Sequence, residues 1–145
     1  MPDKTLRPGK ILLLVFFVAA QLSVSAQNQD DSLLVNRERA KWEALKTKSF
    51  GAHPEWFSRE MISIGYLPNN MVYRTGFGDK ISFPKMDEFP AADFTVSGFK
   101  IVNATADVKI VSYQAEGPIS VYVTSVWARK DNEWKTVSYQ ATKYK

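Results

Sequence analysis

The sequence predicts an α+β fold, and three observations carry that prediction. A charged, amphipathic stretch with helical spacing comes first, around "NRERAKWEALKTK". Four β-rich runs of roughly ten residues follow Asp93: "FTVSGFKIVN", "ADVKIVSYQA", "ISVYVTSVWAR" and "EWKTVSYQATKY". Short turn-forming linkers join them, namely Asn103-Ala104-Thr105, Glu116-Gly117-Pro118 and Lys130-Asp131-Asn132. Helices gathered on one side of an antiparallel meander make an α+β domain. A curved sheet wrapped over a long helix leaves a cone-shaped cavity between them.

The N-terminus is set apart first. Lys4, Arg7 and Lys10 form a basic region, Ile11 to Ala20 is an apolar run, and Val24-Ser25-Ala26 offers the small residues a signal peptidase reads. Residues 1–26 are therefore predicted to be a secretory signal peptide. The alternative is a membrane anchor, but the apolar run falls short of the ~20 residues that span a bilayer. Residues 27–34 form a polar segment, and residues 35–145 a single domain long enough for one core.

In the helix, Leu33, Leu34, Ala40, Trp42, Ala44 and Leu45 supply the apolar side over about four turns, with Asp31 or Ser32 as cap. Lys46 and Lys48 suit the negative end of the helix dipole, and Gly51 ends the helix. "GAHPEWFSREM" predicts a second, shorter helix with Pro54 in its first turn and Trp56, Phe57 and Met61 on its apolar side. "ISIGYL", "PNN" and "MVYRT" predict strand, turn and strand. "GFGDKISFPKMDEFPAAD" is irregular, with one short helix around Phe83 to Phe89, and its glycines lack phosphate-loop spacing. The four strands rest on Val, Ile, Thr, Tyr and Trp in period-two alternation.

Composition excludes several classes of function. The chain has 19 basic and 15 acidic residues; without residues 1–26 it has 16 and 14, a net charge of +2. Those charges are scattered, which gives no footprint for nucleic acid. With no Cys there is neither disulfide nor thiol chemistry nor a lipoprotein anchor, and the fold must rest on its core alone. The single His, His53, removes multi-histidine metal sites and leaves no base for a serine triad except itself. It stands just before Pro54, as a capping or surface residue. These readings predict no cofactor, no metal, no nucleic acid and no membrane once the signal is cleaved. They place the protein in the periplasm of, or secreted from, a Gram-negative bacterium.

Several stretches also resemble a known family. "RAKWEALKTKS" with Trp42, "ISIGYL", "VKIVSY" ending in Tyr113, and "SVWARKDNEWKTVSYQAT" are similar to the NTF2-like superfamily, most of all its DUF4440 branch near the SnoaL-type cyclases and ketosteroid isomerases. The likeness runs from Val35 to Thr142. Its most specific part is the closing hairpin, where relatives carry approximately W-x-R-x-D-G-x-W, a hydrophobic pair and then His-Gln-x-Thr. Asn132 stands where the turn glycine is usual, and Tyr139 where the histidine is usual. Any activity that relatives owe to that histidine does not transfer. The resemblance implies a cone-shaped fold with a ligand-sized pocket and a homodimer formed through the sheet; it does not imply a reaction.

A three-residue turn at Lys130-Asp131-Asn132 sets Ala128 opposite Trp134, Val126 opposite Thr136, Thr124 opposite Ser138 and Tyr122 opposite Gln140. This face mixes a wide aromatic with short polar groups, the make-up of a ligand site. Tyr122, Thr124, Trp134, Ser138 and Gln140 are the expected ligand-binding wall, with Tyr113 beside them and Trp42 as the floor. The other face, with Val123, Ser125, Trp127, Val137, Tyr139 and Ala141, suits a dimer interface, and one slip in a turn swaps the two. No Asp, Glu or His falls on the meander's expected inner face, so no catalytic residue is assigned. Asp93 and Asp107 lie at strand ends, and Asp87 and Glu88 in the irregular segment.

The sequence therefore predicts an exported domain that binds a small, partly apolar molecule in its cone without catalysis. One alternative is a lyase or isomerase of the SnoaL or ketosteroid-isomerase kind, which needs a base in a dry cavity. The other is an interaction module that uses the outer sheet face.

Overall fold

The computed structural model describes residues 8–49, 52–64, 72–74 and 92–144. The chain divides into two compact units, residues 1–33 and residues 34–145. Helix α1 (Pro8–Lys46) is continuous over 39 residues, so Asp31 and Ser32 lie inside it and do not cap it. The part from Leu34 onward belongs to the second unit and carries a buried stripe of Leu34, Glu38, Lys41, Trp42 and Leu45. That i, i+4, i+7, i+8, i+11 spacing is one face of a helix. Lys48, at φ 54°, ends it: Ser49 N–H donates to the Ala44 carbonyl at 2.8 Å and Lys48 N–H to the Leu45 carbonyl at 3.2 Å. This pair of bonds is a Schellman cap, and it replaces the stop expected at Gly51, which lies outside the described residues.

Six strands follow: β1 (Phe57–Ile64), β2 (Val72–Arg74), β3 (Thr95–Thr105), β4 (Val108–Glu116), β5 (Ser120–Lys130) and β6 (Glu133–Lys143). Their order in one sheet is β2-β1-β6-β5-β4-β3. The four predicted strands of the meander are β3 to β6, all antiparallel to their sequence neighbours. The second helix is not formed. Only Pro54–Trp56 makes a 3-10 turn, and the chain runs straight into β1. Phe57 and Met61 are both buried because residues four apart share one face of a strand as they do of a helix, which is why the spacing read as helical. β1 and β2 are the predicted antiparallel pair; their turn, and the irregular segment before residue 92, lie outside the described residues. β1 also pairs parallel with β6, so the sheet is mixed where the sequence predicted an antiparallel one.

The odd-numbered residues of β4 and β5 face the core: Val111, Tyr113 and Ala115 beside Val121, Val123, Ser125 and Trp127. Each fully buried Val or Leu contributes about 1.5–3 kcal/mol relative to an exposed one. Phe94 leans on Trp42 at 4.6 Å between ring centroids. It also fixes Gly117, because a Cβ there would lie 2.7 Å from the Phe94 ring and 2.8 Å from the Asp93 carbonyl.

The β5–β6 turn has two central residues, not three. Lys130 pairs with Glu133, and both Asp131 (φ 52°) and Asn132 (φ 62°) are left-handed, as a type I′ hairpin requires. Left-handed geometry costs a β-branched side chain most and glycine least. Asn132→Gly is expected to raise stability by about 0.5–1 kcal/mol, and Asn132→Val to lower it by about 1–2 kcal/mol. Urea unfolding of the two variants checks both signs.

Candidate functional site

A carboxylate that the strands alone do not reveal lies at the centre of the second unit. Glu38 is fully buried, and each of its donors comes from a different side chain. Lys41 Nζ donates to Oε1 at 2.9 Å, Trp127 Nε1 to Oε1 at 2.7 Å, and the Tyr113 hydroxyl to Oε2 at 2.8 Å. Trp42 Nε1 in turn donates to the Tyr113 hydroxyl at 2.9 Å, and Lys41 Nζ also donates to Thr136 Oγ1 at 2.9 Å. A buried charge is tolerable when it is paired and hydrogen-bonded, and here the chain itself supplies every bond.

Aromatic rings enclose the cation of this pair. Lys41 Nζ lies 4.3 Å from the centroid of Trp127, 5.4 Å from Phe57 and 5.4 Å from Tyr139. Nearer the hairpin tip, Arg37 lies 5.9 Å from the Trp127 ring and donates to the Trp134 carbonyl. Lys109 and Arg129 lie 5.6 and 5.0 Å from the Trp134 ring. Arg129 Nε also donates to Asp107 Oδ1 at 3.0 Å. Among the described residues, two buried polar atoms, Ser125 Oγ and Trp134 Nε1, have no hydrogen-bond partner.

The seven residues expected around one pocket divide between two faces of the sheet. Trp42, Tyr113 and Trp134 are buried inside, whereas Tyr122, Thr124 and Gln140 are exposed and Ser138 half-buried on the outer face. The register explains the split. The two-residue turn sets Arg129 opposite Trp134, and a bulge near Val137 then brings Ser138 opposite Val126 and Gln140 opposite Thr124. Tyr122, Thr124, Ser138 and Gln140 stay together, as expected, but away from the core. Trp134 and Thr136 lie before the bulge and join Trp127 and Tyr139 on the inner side. The two faces are thus exchanged for β5 and for β6 beyond the bulge, where Val123, Ser125, Trp127 and Tyr139 face inward, while Trp134 and Thr136 stay inside as expected.

Sequence reasoning missed Glu38 and Lys41, because the strands were searched for an acid and the helix was not. The signal was present: both charges fall in phase with Leu34, Trp42 and Leu45 on the apolar stripe. His53 stacks flat on Trp56 at 4.0 Å and reaches Glu55 at 3.2 Å, in the surface role expected of it. Asp93 pairs with Lys46 and Asp107 with Arg129, while Asp87 and Glu88 lie outside the described residues. Among the described residues, no three His, Cys, Asp or Glu side chains gather as a metal site requires.

Burial pushes the Lys41 ammonium below its ordinary 10.5, with Glu38 opposing. Burial also raises both phenols well above their ordinary 10.0: Tyr113, helped by Tyr139 and Glu38, and Tyr139, helped by Glu38. The unfolded chain loses these phenolic protons near pH 10, while the folded chain keeps them. Stability therefore falls as pH rises past 10. Lys41 acts in the opposite sense, adding stability with rising pH only up to 10.5, where the unfolded lysine also loses its proton. Above that pH the phenols set the direction. Tyr139→Phe is expected to flatten the decline by about 1.4 kcal/mol per pH unit, read from urea unfolding across the alkaline range.

No protein-family model matches the chain, and no curated protein matches its sequence. Solved structures do match. An NTF2-like protein from Cytophaga hutchinsonii aligns with a TM-score of 0.63 at 14% identity, over 78% of this chain and 97% of that one. ActVI-ORFA from Streptomyces coelicolor aligns at 0.61 and 13% identity, over 76% and 93%. The association domain of CaMKII from C. elegans aligns at 0.57 and 17% identity, over 83% and 98%. The likeness is one of architecture: from Leu34 onward, this chain has the NTF2-like fold.

Proposed function

We propose that this protein is an exported interaction domain that pairs with a second copy of itself through the outer face of its sheet. One observation carries the reading. Val102, Ile110, Val126, Ser138 and Ile62 lie in register across five strands, on the face turned away from Glu38. Val102 is 58% exposed and Ile62 41%. With strands about 4.8 Å apart, the row is about 19 Å wide. The next row holds Lys100, Ser112, Thr124 and Gln140, with Tyr122 beyond, so a mostly apolar strip is flanked by polar groups and one lysine. This is the make-up of an interface core and its rim. These five residues carry no charge, and the row ends on β2 at Arg74, opposite Ile62, so two copies meeting about a two-fold axis through its middle face no like charge there. The CaMKII neighbour, named for association, supports the same use of this fold. The bonds around Glu38 support it from the other side, because the acid a lyase or isomerase would use is held by the chain's own donors.

Binding of a small molecule in the cone is the second reading, and the unpartnered Ser125 Oγ and Trp134 Nε1 favour it, since a polar ligand would satisfy them. The "SVWARKDNEWKTVSYQAT" pattern supports placing the domain with the DUF4440 branch.

Native mass spectrometry and sedimentation of the purified protein test the first reading. A dimer is expected for the wild type, and a monomer with unchanged far-ultraviolet circular dichroism for Val126→Glu; a wild-type monomer at micromolar concentration overturns it. A co-purified mass in the same spectrum would support the second reading. Export carries its own check: protein recovered from the periplasm or medium of an expressing bacterium is expected to begin at Gln27, and a chain retained whole in the cytoplasm overturns it.

A further inference from the structure

The surroundings of Lys41 are those of a receptor. Three aromatic rings at 4.3 to 5.4 Å, a carboxylate oxygen at 2.9 Å and a hydroxyl at 2.9 Å converge on one ammonium nitrogen. Aromatic faces attract a cation through their quadrupole, most strongly where it is desolvated, and cages of aromatic rings are used to recognise quaternary ammonium ligands; here a carboxylate and a hydroxyl add the hydrogen-bond acceptors that a primary ammonium needs. Glu38 and Lys41 are both at most 1% exposed, so the attraction acts without water.

The parts of this cage come from four elements. Glu38 lies on α1, Phe57 on β1, Trp127 on β5, and Thr136 and Tyr139 on β6. Glu38 is held from other sides by the Trp127 indole and the Tyr113 hydroxyl. Those two bonds do not depend on Lys41, so the carboxylate stays aimed when the lysine head group is removed. Thr136 stands on the inner face as the partner of Trp127 in the β5–β6 register.

We propose that the cone interior is a recognition site for a primary alkylammonium, filled in the folded protein by the chain's own Lys41. A molecule that enters the cone does so by presenting an ammonium in place of that head group; a neutral apolar compound finds the carboxylate unpaired and is rejected. The proposal is independent of the outer face and stands or falls apart from the dimer.

The lysine side chain beyond Cβ is three methylenes and an ammonium, so Lys41→Ala opens a space of the shape of n-propylammonium. The test titrates purified Lys41→Ala with n-propylammonium, 1-propanol and propionate, following thermal unfolding and tryptophan fluorescence. The expected result is saturable binding of n-propylammonium that recovers most of the lost Tm. It should be at least about tenfold tighter than 1-propanol, with no response to propionate. Adding Phe57→Leu removes one ring without touching Glu38, and should weaken n-propylammonium while leaving 1-propanol unchanged. Equal binding of the alcohol and the amine, or no binding by a folded variant, overturns the proposal. The wild type gives a second measurement should Lys41→Ala not fold. Nuclear magnetic resonance at pH 7 is expected to show the Lys41 Nζ as an exchange-protected ammonium with ring-current-shifted ε-methylene protons. An unshifted, freely exchanging amine overturns the proposal without any variant.

Discussion

The structure depends on a carboxylate buried out of reach of solvent. Glu38 needs donors, and the ones it has sit on α1, β4 and β5, so satisfying one residue fixes three elements against each other. Removing any single donor leaves a buried charge short of a bond, which costs far more than an average contact contributes. The helix is held in rotation as well as position. Glu38, Lys41 and Trp42 reach the sheet together only when that one face of the helix points at Tyr113, Trp127 and Thr136. Hydrophobic burial alone would allow some axial slippage; directional bonds do not.

What the sequence could and could not tell follows from which physical signals are local. The four long strands were readable because alternation of Val, Ile and Tyr with polar residues is a local pattern, and β3 to β6 stand where it placed them. The parallel pairing of β1 with β6 was not readable, since nothing in either strand names a partner some 75 residues away. The face assignment turned on a single residue. A three-residue turn and a two-residue turn differ by one position, and in a strand one position is the whole difference between inside and outside. Asp131 and Asn132 both tolerate a left-handed backbone, so composition did not decide between the turns. The lesson of Glu38 is different. A charge in phase with an apolar stripe reads as solvated unless one asks which face of the helix it occupies.

The bulge near Val137 shows how the same strand serves two surfaces. Before it, Trp134 and Thr136 point inward; after it, Tyr139 and Ala141 do, though their numbers have changed parity. Without the extra residue, either the Thr136 contact to Lys41 or the Tyr139 ring over Lys41 would be lost. A local irregularity thus completes the aromatic enclosure and also keeps Ser138 and Gln140 on the outer face with Tyr122. The neighbours in fold include a domain named for association and ActVI-ORFA, which carries no such name, so the architecture itself fixes no one use.

The position of β6 has a consequence for the order of assembly. It is the last of the six described strands in chain order, yet it lies inside the sheet, between β1 and β5. Until residues 133–143 have left the ribosome, β1 has no parallel neighbour and Lys41 has no Thr136 to bond. The non-local pairings that close the domain are also the slow ones. Without β6, its pairings with β1 and β5 cannot form, so the domain closes only once residues 133–143 are available. The same strand that closes the core thus also defers the moment of closing.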